Sequence, residues 1–459
     1  MHVRESMHGS WTSRWAFILA ATGAVVGLGN IWTFPYTIGM NGGGAFVLVY
    51  LACLILIGVP IMIAALALGR RARHSPVNSM FTLAIESGHS DIWRYLGFVC
   101  VFASLLFLSY YSVISGWAIY YAFLTGSGQF TGITSAGVKA RFFNFIQDPV
   151  YLLMFHTLFM MMTMYVVSVG VRGGLEKAAK IMVPVLLVLL VVLDLYAFNT
   201  NSFAKAFEFL LDPDFSRLSW EAVLIAMEHA FFTLSLGMGV IMVYGAYMPQ
   251  RVSITQSSLS VAGIDTLVTL LVGLAVFPLI FSGGLKATSG TDLLFLNLPL
   301  AFGQLHWSVL FGTLFYLMII FAAWTSSIAL LEPAVAWLIE NHGFKRFKAT
   351  FFAGTIVWAL GIFTVFSFNK WQFRFSLFGH IHQNGFFDVF DQLTTKIMLP
   401  LAGILIALFA GWFMSREASR DELEMHDWLY ASWRFLVRYI SPFAMLVVFL
   451  TSIGVIKLS

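Results

Sequence analysis

Two apolar segments of this chain are interrupted by glycine at corresponding places in its two halves. The first, Trp15 to Ile38, breaks at Val26-Gly27-Leu28-Gly29-Asn30; the second, Ala222 to Tyr247, breaks at Thr233-Leu234-Ser235-Leu236-Gly237-Met238-Gly239. Each glycine costs a helix about 1 kcal/mol relative to alanine, so clustering them in mid-segment predicts unwinding. Backbone groups freed at bilayer depth must find partners inside the protein. A matched pair of interrupted spans therefore points to a substrate and ion site near the membrane midplane, the arrangement of secondary transporters.

Composition supplies the bilayer. Hydrophobic residues make up 59% of 459 positions and charged ones only 10%, where soluble domains carry about 25% charged residues. The net charge of +4 is spread over short loops, which argues against a nucleic-acid surface. Cys53 and Cys100 both fall in apolar stretches, so no disulfide framework is expected. A bacterial or archaeal inner (plasma) membrane is the expected location. The N-terminal MHVRESMHGSW has no apolar core of a cleaved signal.

Spans of ~20 apolar residues cross a bilayer. Eleven are expected, at about 15–38, 43–70, 95–125, 150–169, 177–198, 221–247, 254–283, 306–340, 348–368, 387–414 and 430–457. With the N-terminus inside, the outer loops hold only Lys139, Arg141, Lys205, Arg217, Lys286, Lys370, Arg374, Lys396 and Lys457, which leaves 17 of the 26 basic residues on the cytoplasmic side. That bias sets the N-terminus in, and eleven spans then put the C-terminus out.

The fold class is all-α integral membrane, one transporter domain over 1–459 with no appended soluble module. Spans one to five (about 11–198) and six to ten (about 221–414) form two repeats, each opened by a broken segment. An odd number of spans per repeat inverts one relative to the other; the helix at about 430–457 lies outside them. Loop 284–305 is expected to form a short external hairpin over the entrance, and 415–429 a polar helix at the cytoplasmic face.

An unwound helix offers free N–H groups and a positive dipole end to an anion, and bare carbonyls to a cation. An amino acid, with its carboxylate and ammonium, needs both. Asn30 adds an amide oxygen beside the first break, and Thr233 and Ser235 add hydroxyls beside the second. Thr325-Ser326-Ser327 in the eighth span is a further candidate, although hydroxyls in an apolar helix commonly bond back to the i−4 carbonyl. Asp265 is the only carboxylate deep in the seventh span. Placing it there costs about 3 kcal/mol or more, and with no Lys or Arg in that span a cation is its natural partner.

In GAVVGLGNIWTFPY (23–36), NGGGAF (41–46), FFTLSLGMG (231–239) and TSS (325–327) the chain resembles the neurotransmitter:sodium symporter family, including its bacterial amino-acid transporters of LeuT type. The resemblance runs from Trp11 through the tenth span. It implies two sodium ions. One would meet the Val25 carbonyl, Asn30, Thr233, Asp265 and the substrate carboxylate. The other would meet the carbonyls of Gly23, Val26 and Ala322 and the hydroxyls of Thr325 and Ser326. The substrate carboxylate would meet the Leu28 and Gly29 amides and the Tyr111 hydroxyl; the amine would face Val25, Phe232, Thr233 and Ser235. The side-chain pocket would be Phe107, Ser235, Met238, Ser326 and Leu330 under Phe232.

The resemblance also implies gating roles. Trp11, Tyr247, Glu332 and Glu340 match the inner gate, Asp391 the outer one, and Gly174 with Pro184 a helix start that can unwind. Asp265 stands where the family usually has Asn, with Thr269 where chloride-dependent relatives have Ser. A fixed carboxylate there implies no need for chloride. Two departures concern the outer gate: Thr33 replaces the Arg that pairs with Asp391, and His229 replaces a Gln nearby, from where it could take over part of the gate. At the inner gate the Arg that pairs with the acidic residue is displaced, with His8 three residues before Trp11 and Arg4 further back, so weakened gates are expected at both ends. The expected activity is sodium-coupled import of a large hydrophobic L-amino acid by alternating access, a monomer sufficing. The alternatives are another amine or zwitterion of GABA or betaine type, or a sensor that binds without transporting. No intramembrane enzyme constellation is present.

Overall fold

The computed structural model describes residues 4–456, so Lys457 lies outside it. Among the described residues nine continuous helices are long and apolar enough to cross a membrane. A tenth span is the pair Arg14–Val25 and Leu28–Met40, bent by 61° at the break. Helices Trp220–Phe232 and Val240–Ala246 flank the second break.

Both interruptions are conformational. Val26 (φ −74°, ψ 100°) and Gly27 (φ −128°, ψ −165°) are extended, so the first break is short and helix resumes at Leu28. From Thr233 to Gly239 the second is longer, with Ser235, Gly237 and Gly239 in the left-handed region at φ 52°, 83° and 73°. Gly237 and Gly239 adopt that region without steric cost. Ser235 is held there by a hydroxyl bond to the Ala24 carbonyl across the gap, 3.0 Å.

The rest of the fold frames these breaks. Arg14–Val25 packs against Lys177–Phe198, Ile254–Ser282 and Ser308–His342. Burial separates an inner from an outer layer: 78% of the apolar window of Ser308–His342 is buried, against 33% for Val171–Phe198 and for Asp427–Ser452. The outer helices present Val150, Tyr165, Leu195, Phe351 and Phe443 outward, an apolar surface that only lipid or a partner could cover. The last helix packs on Leu399–Leu408, and the Trp433 indole donates to the Pro60 carbonyl.

Loops are more helical than the sequence suggests. Loop 284–305 is not a hairpin: Gly290–Asp292 continues through a π turn into Leu298–Gly303, burying Leu293, Leu294, Phe295, Leu298 and Phe302. Leu294, Leu298 and Phe302 recur every four residues, a spacing that suits one face of a helix, not an alternating strand. The strand pair is instead Phe375–Leu377 with His380–His382. Helices Pro76–Glu86, Ser135–Gln147 and Phe203–Leu211 occupy other connections, and the polar segment at 415–429 is helical over Arg416–Leu423 before Glu424 turns left-handed.

Candidate functional site

The two breaks face each other across one cavity of about 400 Å³, within the usual range for small-molecule sites. Val25, Leu28, Gly29, Phe107, Tyr111, Phe232, Thr233, Ser235, Met238, Ser326 and Leu330 all line it. At its polar end the Leu28 amide donates to the Tyr111 hydroxyl, 3.2 Å. That hydroxyl retains its own proton to offer an anion beside the start of Leu28–Trp32. The opposite wall is apolar: Phe107 stacks on Tyr111 (5.4 Å, 29°), with Met238, Leu330 and Phe232 around it. No charged side chain stands on that wall.

On one side of the first break lies a fully buried carboxylate. Asp265 accepts from the Thr233 hydroxyl (2.5 Å) and the Asn30 amide nitrogen (2.9 Å), which also reaches Thr269 at 2.8 Å. The Asn30 oxygen accepts the freed Gly27 amide, 3.1 Å. Among the described residues no Lys, Arg or His pairs with Asp265. A buried ionised carboxylate needs a compensating cation, and carboxylate, hydroxyl and amide oxygens are hard ligands suited to sodium.

A second oxygen cluster lies on the other side. The Ser326 hydroxyl is within 3.2 Å of the Gly23 carbonyl, 3.1 Å of Val26 and 3.2 Å of Ala322. It has one proton for three acceptors. Thr325 reaches the Ala322 carbonyl at 3.0 Å. Back-bonding within the helix accounts for Ser327, which donates to Ala323, but Ser326 spans the gap to the first segment. Such a surplus of acceptors also fits a monovalent cation.

The end of the molecule carrying Trp11 is sealed. The Trp11 indole donates to the Tyr244 carbonyl and its backbone amide to Tyr247. The Tyr247 hydroxyl donates to Glu332 at 2.6 Å, and Arg346 pairs with the same carboxylate at 2.5 Å. His8 meets Glu340 at 2.9 Å, where Ser75 and Asn78 also donate. Arg4 binds Glu86 instead, alongside Arg71. Burial pushes the Glu86 carboxyl up, but the two guanidinium groups outweigh it and hold it below the usual range. Gly174 lies in the π turn Val171–Glu176 and Pro184 inside Lys177–Phe198. That turn is fastened to the N-terminal segment through Glu176, which accepts from Thr12 and pairs with Lys180.

At the other end Thr33, His229 and Asp391 line the cavity but do not assemble into a gate. His229 lies flat on Phe34 (3.5 Å, 11°), its Nε2 without a partner among the described residues. Asp391 instead accepts from the Tyr110 hydroxyl, 3.2 Å. Sequence reasoning missed three residues here and inside: Glu228 and Lys396, which pair across the cavity wall at 2.6 Å, and Arg346 on Glu332. The i, i+4 placement of Glu228 before Phe232 was the available signal for the first.

Comparison with known proteins agrees with these features. A family model described as the sodium:neurotransmitter symporter family matches residues 8–131 and 144–458. An uncharacterised sodium-dependent transporter of Bacillus subtilis, YhdH, is 36% identical over 457 residues, covering 97% of this chain and 98% of that protein. One from Methanocaldococcus jannaschii is 31% identical over 474 residues, covering 97% and 91%. The solved structure of MhsT in complex with L-phenylalanine superposes with a TM-score of 0.87 at 37% identity, covering 97% of this chain and 99% of that one.

Proposed function

The chain belongs to the sodium:neurotransmitter symporter family, whose members are sodium-dependent transporters and not enzymes, and on that premise we propose that it imports a large hydrophobic L-amino acid. Its LeuT-like fold gives the mechanism. One sodium ion binds at Asp265, Asn30, Thr233 and the Val25 carbonyl, touching the substrate carboxylate. A second binds at Gly23, Val26, Ala322, Thr325 and Ser326. Filling both sites orders the two breaks around the substrate, so that only the loaded form closes at the outer end and opens at the Trp11 end. With the N-terminus cytoplasmic and the C-terminus external in a bacterial or archaeal plasma membrane, that opening delivers to the cell interior. Leaving the inner end requires release of Trp11 and of the Glu176 tie on the Gly174 turn, ahead of Pro184. A monomer contains every part.

The observation that carries the substrate class is the uncharged wall of Phe107, Met238, Leu330 and Phe232 opposite the Leu28 amide and Tyr111. An unpaired charge buried there would be costly. MhsT, similar over its whole length, was crystallised with L-phenylalanine, which suits such a wall. Uptake of labelled phenylalanine into proteoliposomes with an inward sodium gradient is the test. Uptake that collapses with the gradient is expected. Sodium-dependent binding without flux would make the protein a sensor, a reading that the missing arginine at Thr33 favours. GABA or betaine outcompeting phenylalanine would overturn the pocket assignment.

A further inference from the structure

We infer that the Lys396–Glu228 ion pair is the outer latch of this transporter, an inference that rests on the transport reading above. Thr33 carries no positive charge to offer Asp391, and Asp391 is already engaged by Tyr110 and, at 3.3 Å, by Gln392. His229 is stacked on Phe34 and turned from that role. Across this part of the cavity wall the opposed charges in contact are therefore Lys396 and Glu228, 2.6 Å apart and each about a quarter exposed (28% and 27%).

Their positions suit a latch. Glu228 is four residues before Phe232 on Trp220–Phe232, so it stands on the same face one turn above the aromatic lid. Lys396 comes from the π turn Gln392–Met398 of a different span. The pair thus ties the half-helix that carries the lid to the tenth span, and the two must part for a substrate to pass. A single partly exposed pair contributes little, which is what a contact broken in every cycle requires.

The test is labelling of Thr37→Cys, a cavity-lining position, by a membrane-impermeant thiol reagent from outside; the native Cys53 and Cys100 are both buried. In that background Glu228→Gln and Lys396→Met are each expected to speed labelling about fivefold, the equivalent of roughly 1 kcal/mol. The reversed pair Glu228→Lys with Lys396→Glu should restore the parental rate. Should the neutral variants fail to reach the membrane, Glu228→Asp keeps the charge and shortens the arm, and it too should label faster. Unchanged rates in the single variants, or a reversed pair no slower than they are, would overturn the latch. Labelling needs no transported molecule, so a mistaken amino-acid assignment would leave this result readable.

Discussion

Replacing Asp265 with asparagine isolates the charge at the first sodium site. The side chain is fully buried, bonded to Thr233 at 2.5 Å and Asn30 at 2.9 Å, and free of any basic partner among the described residues. Two unit charges 4 Å apart interact by about 4 kcal/mol at an effective dielectric of about 20, which is roughly three decades of affinity. The amide keeps one oxygen ligand, so a loss near a hundredfold in sodium affinity is expected. The assay is the melting temperature of purified protein against sodium concentration, because an ion that binds only the folded state raises stability. A second signature separates charge loss from misfolding. Without sodium the wild-type carboxylate is buried and uncompensated, so Asp265→Asn should melt no lower than wild type in sodium-free buffer. A folded variant whose sodium midpoint stays within about threefold of wild type would refute the assignment of Asp265 to the ion.

Wild-type uptake should be indifferent to replacing chloride by gluconate at constant sodium, whereas Asp265→Asn should become chloride-responsive; paired uptake assays decide both. Phenylalanine, tryptophan, leucine and methionine should compete best, and glutamate, lysine and GABA poorly, in displacement of bound label. Gly23→Ala places a Cβ 3.0 Å from Thr325 Cβ and from Val183 Cγ2, overpacking that costs about 1–3 kcal/mol, so sodium dependence should weaken without any change of pocket selectivity. Arg346→Ala leaves Glu332 buried and unpaired, a penalty of about 3–5 kcal/mol in the sealed form; cytoplasmic thiol labelling of a cysteine in the inner pathway should rise, and no rise would remove Arg346 from the inner gate. His229→Gln loses the stack on Phe34 but no ion pair, so its uptake should keep the wild-type pH profile, and a flattened profile would show that His229 does reach Asp391.

The broken segments were legible because an apolar run that stays helical rarely gathers several glycines at its centre, and the structure breaks at the same two places. Nine continuous spans and the first broken one were legible as long apolar runs. Connections were harder to read. In 284–305 the turn residues Gly283, Gly284 and Gly290 suggested a hairpin, while Leu293 to Phe302 had tertiary surface to cover and became helical. At the site, residues adjacent in sequence to the breaks could be found by pattern. Lys396, Arg346 and Glu176 could not, because each acquires its meaning from a partner 14 or more residues away or, for Glu176, from the N-terminal segment that docks on it. His8 contacts Glu340 through its ring, a pairing that the position three residues before Trp11 alone did not reveal.

The Ser326 hydroxyl, with three carbonyls between 3.1 and 3.2 Å and one proton to give, is a degenerate switch. It can point at Gly23, Val26 or Ala322 with little to choose between them, and since Ala322 also accepts from Thr325, one of the two carbonyls of the first segment always lacks this donor. The joint between the first segment and Ser308–His342 thus has three near-equivalent hydroxyl orientations. A cation bound at the proposed second site would engage these carbonyls together and select among those orientations in one step. Ligands that reduce disorder in shared elements couple to each other even where no atom moves far. The cooperativity between ion and substrate would then be entropic at this joint and coulombic at Asp265, and the two contributions should separate by their temperature dependence.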